Sequence, residues 1–231
     1  MISFTHAPIN AYSWTFGAIA VYSFTIKSIV SYKRTKNPLA RIYSYLGFFF
    51  GTAMLLFGFP AFLTSDASIL KYTSFLADSC LQISIFLALW LSWFIGFRLY
   101  LSLKYILGLT IPLSILTLTI EFFTSSAHIS RSPHLVQYTN IMTVLILQSV
   151  IYAIAAFSLS YFLLKHVKNQ ITLRSKFQSL VSGLIPVIVA TAGISNNIFD
   201  KGSDTKQSAM ELSIFFAIFL LAQLPRSKKY S

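Results

Sequence analysis

Apolar residues come in long runs along this chain, separated by short polar links. The runs fall at about 9–31, 41–64, 69–97, 101–123, 137–165, 178–199 and 207–224. A hydrocarbon core roughly 30 Å thick takes about 20 residues of helix to cross, and every run approaches or exceeds that length. Nothing alternates with the two-residue period that barrel strands of about 10 residues need. The pattern therefore predicts an all-α integral membrane protein, a seven-transmembrane-helix bundle forming a single membrane domain over residues 1–231.

Within the runs, small residues mark where helices approach one another. Ser44, Gly47, Gly51, Met54 and Gly58 recur at spacings of three and four, as do Gly183, Pro186, Ala190, Gly193 and Asn197. Small residues four apart let helix backbones come close. Pro60, Pro112 and Pro186 each lack a backbone donor and are expected kink points. The link TSSAHISRSPHLV reads as the one substantial loop between runs, and HVKNQITLRSKF reads as a basic segment lying along headgroups.

Composition agrees with the runs. The chain is 55% hydrophobic and 10% charged, whereas soluble domains carry about 25% charged residues. A net charge of +12 would suggest nucleic acid in a soluble protein, but here the bases sit in the links. Lys27, Lys33, Arg34, Lys36 and Arg41 surround the first link, Arg98 and Lys104 the third, and Lys165, Lys168, Arg174 and Lys176 the fifth. Arg226, Lys228 and Lys229 follow the last run, leaving Lys71, Arg131, Lys201 and Lys206 on the other side. Bases stay cytoplasmic, so the expected topology has the N-terminus outside and the C-terminus inside, in a plasma or inner membrane. Expected partners are a bilayer with anionic headgroups at the inner face and a protein at the inner links, not nucleic acid. The first ten residues hold no Lys or Arg, so no cleaved signal peptide is expected there.

Polar residues inside the runs carry the candidate chemistry. The third run, Tyr72 to Phe97, places Ser74, Asp78 and Gln82 one turn apart on a face. The fourth run has a stripe of Thr110, Ser114, Thr117 and Glu121. The fifth adds Gln148 and Tyr152, the sixth Asn196 and Asn197, and the seventh Glu211. A charged group at a bilayer centre costs about 2.5–3.5 kcal/mol on insertion scales, so ionisable residues there face the bundle interior and mark sites. Asp78, Gln82, Glu121, Gln148, Tyr152, Asn196, Asn197 and Glu211 are expected to line an outward-facing polar cavity for a polar small molecule. Interhelical hydrogen bonding is the alternative reading of the same residues. Trp90 and Trp93 are read as interfacial anchors.

No catalytic arrangement is evident, and no enzyme activity, cofactor or metal is expected. Cys80 is the single cysteine, and the histidines match no ligand spacing. The motifs HExxH and the phosphate-binding glycine loop are absent. The last run, SAMELSIFFAIFLLAQL, has no internal lysine to carry retinal.

The stretch RTKNPLARIYSYLGFFF, Arg34 to Phe50, resembles the N-terminal seven-helix membrane region of sensor histidine kinases. There a basic first inner link with Asn-Pro precedes an arginine that opens the second helix. The resemblance implies a sensor-like module, and with only PRSKKYS after the last run the output is expected from a separate partner. Size and topology are also similar to the SWEET sugar transporters, with Pro60 and Pro186 in equivalent helices of two halves. Receptor or sensor-like module is the first expectation; a small-solute or proton-coupled transporter using Asp78 and Gln82 is the second, and a structural accessory subunit the third.

Overall fold

The computed structural model describes residues 8–96, 102–129, 136–199 and 216–217, with the backbone alone for 137, 166, 174, 178, 189 and 192–199. The long helices are α1 (Ile9–Thr35), α2 (Pro38–Gly58), α4 (Ala67–Ile95), α5 (Leu103–Thr124), α6 (Met142–Lys165) and α7 (Leu173–Phe199). A single turn, α3 (Pro60–Leu63), follows α2, and a 3-10 turn, His166–Asn169, follows α6. Four segments are long and apolar enough to cross a membrane: Pro38–Leu63, Ala67–Ile95, Leu103–Thr124 and Met142–Asn169. The expected seventh run, 207–224, lies outside the described residues apart from Phe216 and Ala217, which are helical.

Local chemistry sets the helix boundaries. Lys36 takes a left-handed conformation that ends α1, and its N–H donates to the Tyr32 carbonyl. Asn37 then caps α2 by accepting from the Leu39 N–H at 2.9 Å, and Pro38 fills the first helical position, where no donor is needed. Asp66 caps α4 in the same way, accepting from the Ser68 N–H at 2.8 Å. Of the expected kink points, Pro60 separates α3 from α2, while Pro112 and Pro186 sit inside continuous helices.

The small-residue seam on the second run is realised against α1. Ser44, Gly47, Gly51, Met54 and Gly58 are all buried. Gly47 lies against Thr25, Gly51 against Tyr22, and Gly58 against the backbone of Ala11, so the two helices run antiparallel at close range. Phe216 packs on Gly17 and Met54 at the same seam. Next to this pair, Leu91 and Leu159 bring α4 and α6 onto Ile42 of α2.

One feature departs from the expected all-helical fold. The link read as a loop carries an antiparallel hairpin, β1 (Ser126–Ile129) with β2 (Val136–Thr139), in register Ala127 to Tyr138 and Ile129 to Val136. The start of the expected 137–165 helix is therefore strand, and α6 begins at Met142. Val136, Tyr138 and Thr139 are β-branched or aromatic and favour a pleated surface. The start of α1 supplies the missing edge: Asn10 donates to the Val136 carbonyl at 2.7 Å and accepts from its N–H at 3.0 Å. Ala127 and Val136 pack with Ala11, Phe62 and Leu70, closing this end of the bundle. Asn10→Leu is expected to cost about 1–2 kcal/mol by removing both bonds. It should quicken amide exchange at Val136 while the centre of α4 is unchanged; unchanged exchange at Val136 would show the clamp to be idle.

Candidate functional site

Three helices bring the polar residues together just below the hairpin. On α4, Ser74, Asp78 and Gln82 are all buried on one face. The buried residues of α5 are Ser114, Thr117 and Glu121, while Leu109, Ile115, Leu116 and Phe123 are exposed. A helix with polar groups inside and apolar groups outside is stable only where lipid covers the outer face. On α6, Gln148 is buried, and Tyr152 follows one turn further on.

These groups satisfy one another across the helices. Ser114 donates to Gln82 Oε1 at 2.8 Å, and Gln148 Nε2 donates to Glu121 Oε2 at 2.9 Å. The Tyr152 hydroxyl donates to Asp78 Oδ1 across a longer 3.4 Å. The carboxyl groups of Asp78 and Glu121 are neighbours, and the Asn140 side chain approaches Glu121 from the link between β2 and α6. Gln82 Nε2 and Asn140 Oδ1 are buried with no partner among the described residues.

The hairpin adds a lid of mixed character. Tyr138 donates its hydroxyl to the Phe57 carbonyl at the end of α2, at 2.9 Å. Burial, and then the nearby Asp78 charge, raise this phenol above its ordinary value, so it remains a donor throughout the physiological range.

Beside the polar cluster lies a cavity of about 170 Å³, walled by α2, α4, α6 and α7 with Trp14 of α1. Its wall is aliphatic and aromatic, with Met54, Phe57, Ile85 and Pro186 among the lining residues. Ser84 lines it too but donates its hydroxyl to the Leu81 carbonyl. Tyr152 belongs to both features, its side chain lining the cavity and its hydroxyl reaching Asp78.

Of the eight residues singled out from sequence, Asp78, Gln82, Glu121, Gln148 and Tyr152 converge here. Asn196 and Asn197 lie near the end of α7, where only the backbone is described, and Glu211 lies outside the described residues. Sequence reasoning missed Asn10, Tyr138 and Asn140. An amide at the head of an apolar run was the available signal for both asparagines; Tyr138 gave none, standing in what read as helix. Among the described residues, no three His, Cys, Asp or Glu side chains cluster closely enough for a metal. No protein-family model, curated protein or solved structure matches this chain.

Proposed function

We propose that the chain is a receptor or sensor-like membrane module that admits a small molecule to the cavity beside Asp78 and Glu121. It signals through a separate protein at its basic links. The observation that carries this reading is the double position of Tyr152. A molecule filling the cavity presses on a side chain whose hydroxyl is tied to the carboxyl pair. The wall selects a mainly apolar body with one polar end, in contrast to the polar small molecule expected from the residue list. Apolar cavities of about 150 Å³ stay dry and take molecules of benzene size.

Seven spans with the N-terminus outside put the basic links in the cytoplasm of a plasma or inner membrane. Ile171 and Leu173 are 97% and 86% exposed in the fifth link, between Lys168 and Lys176, and offer a partner an apolar contact inside a basic rim. The test uses purified full-length chain in nanodiscs, with benzene, benzyl alcohol and benzylamine as probes. At least one probe should raise the thermal midpoint and change amide exchange in α5 around Glu121. In Tyr152→Phe the same probe should still bind within about threefold, since a hydroxyl bond in a membrane interior is worth about 0.6 kcal/mol, but the exchange response should vanish. A probe series that leaves the midpoint unmoved sinks the reading.

The carboxyl pair favours a second reading, a small-solute or proton-coupled transporter. Two neighbouring carboxyl groups buried between three packed helices are suited to passing a proton on. Liposomes with an imposed pH gradient decide between the two: proton flux abolished by Asp78→Asn supports transport, and inert liposomes exclude it.

A further inference from the structure

The turn between α6 and α7 projects past the membrane-crossing part of the bundle. α6 is 24 residues long, about 36 Å at the helical rise, so it has outrun a hydrocarbon core roughly 30 Å thick by the time it reaches Lys165. Gly183 of α7 lies against Leu164, which sets these two residues at one level. Phe177 and Leu173 come six and ten residues earlier on α7 and therefore stand about 9 Å and 15 Å further out. α7 opens on a cap at this outer end, where Thr172 Oγ1 accepts from the Ser175 N–H at 3.1 Å.

Two faces of α7 are turned inward. Gly183 packs on α6, and Ser175, Ser179 and Ser182 line a cleft beside α1. A third face is bare. Leu173, Phe177, Leu180 and Leu184 are all exposed, at spacings of four, three and four, the alternation of d and a positions along a coiled-coil seam. In that register Arg174 takes an e position and Lys176 a g position, where coiled coils place the charges that choose a partner. Ile171 extends the exposed apolar line into the turn. Residues 165–199 hold Lys165, Lys168, Arg174 and Lys176 and no Asp or Glu.

We infer that the seam from Leu173 to Leu180 is the docking surface for an acidic amphipathic helix of a separate protein. Lipid covers Leu184, near the level of Leu164, but Leu173 and Phe177 lie beyond the hydrocarbon, where acyl chains do not reach. A second copy of this chain would bring Arg174 and Lys176 against their own kind, and like charges across e and g oppose pairing. The chain's own tail, with Arg226, Lys228 and Lys229, is basic as well. A helix with apolar a and d residues and Glu or Asp at e and g matches both the seam and its rim. This rests on the receptor reading, in which the output leaves through a separate protein, and gives that protein's contact segment a chemistry.

A labelled synthetic peptide of three heptads, with leucine at a and d and glutamate at e and g, tests it by fluorescence anisotropy against the full chain in phosphatidylcholine nanodiscs. The peptide is expected to bind and to slow amide exchange over residues 171–180. Phe177→Ser should weaken binding about tenfold or more, and Lys176→Glu about fivefold. Lys104→Gln, also at the basic end but away from the seam, should bind as the parent does. No binding, or equal binding of a peptide with lysine at e and g, would overturn the acidic partner. A spin label at Leu173→Cys in a Cys80→Ser background separates the other occupants. Protection from a water-soluble relaxation agent would overturn the proposal in favour of lipid, and spin–spin coupling between copies in favour of a second chain. The peptide is added without any aromatic probe. Peptide binding with no probe moving the thermal midpoint would sink the cavity reading and leave this surface standing; a responsive cavity with no peptide binding would do the reverse.

Discussion

Glu121→Leu is expected to destabilise the bundle by about 2–6 kcal/mol, because it strips partners from two buried groups at about 1–3 kcal/mol each. Gln148 loses its acceptor, and the Asp78 carboxyl loses its neighbour on α5. An ordinary interhelical hydrogen bond in a membrane is worth only about 0.6 kcal/mol, since the separated helices find other partners. The larger figure applies here because the cluster is linked, with Glu121 serving α4 and α6 at once. Glu121→Gln retains an acceptor for Gln148 and offers an N–H to Asp78, so it should stay within about 1 kcal/mol of the parent. Equilibrium unfolding in mixed micelles measures both. Equal stability of the leucine and glutamine variants would mean that α5 is held by its contacts with lipid and not by the cluster.

Gly58→Leu should cost about 3 kcal/mol, at the upper end for overpacking. A Cβ at Gly58 would stand 2.7 Å from the Ala11 carbonyl oxygen and 2.9 Å from Trp14 Cβ. The nearest obstacle is backbone, so no rotamer change relieves it and α1 must move away from α2. The displacement would also reach the clamp at Asn10, one residue from the collision, so lost stability should be accompanied by faster exchange at Val136. Gly108 provides the contrast. Nothing lies within 4 Å of a Cβ there, and Gly108→Leu should be neutral or gain up to about 1 kcal/mol from helix propensity. Similar losses at both positions would remove the special status of the α1–α2 seam.

The seam was legible in the sequence because small residues at three-four spacing leave a helix only one face for close approach. What Ser44, Gly47, Gly51 and Gly58 did not carry was the identity of the neighbour. Asp78, Gln82, Glu121, Gln148 and Tyr152 were recognisable as a set, since each is costly in lipid and all fall at compatible depths. Their pairing was not recognisable, because it depends on how far each helix is rotated about its axis. Nor does periodicity register a void: the apolar cavity exists where Met54, Ile85 and Pro186 fail to fill the space between four helices. The hairpin was hidden by the continuity of Val136–Thr139 with the apolar run after it, where a short apolar segment reads equally as helix or strand. The resemblance in RTKNPLAR rests partly on a local requirement, for Asn37 and Pro38 form the cap and first position with which any tight link opens a helix.

The clamp between Asn10 and Val136 also orders events in time. Its two halves are 126 residues apart, so at roughly 5–20 residues per second of synthesis the amide of Asn10 waits about 6–25 s for its partner. Over that interval α1 through α5 are made, and the mouth of the bundle above Asp78 stays open on the side where β2 will lie. The hairpin is therefore a late seal: α1 can settle on α2 early, but its first turn is fastened only when β2 arrives, and a ribosome stalled before Val136 would leave α1 through α5 with that end unfastened.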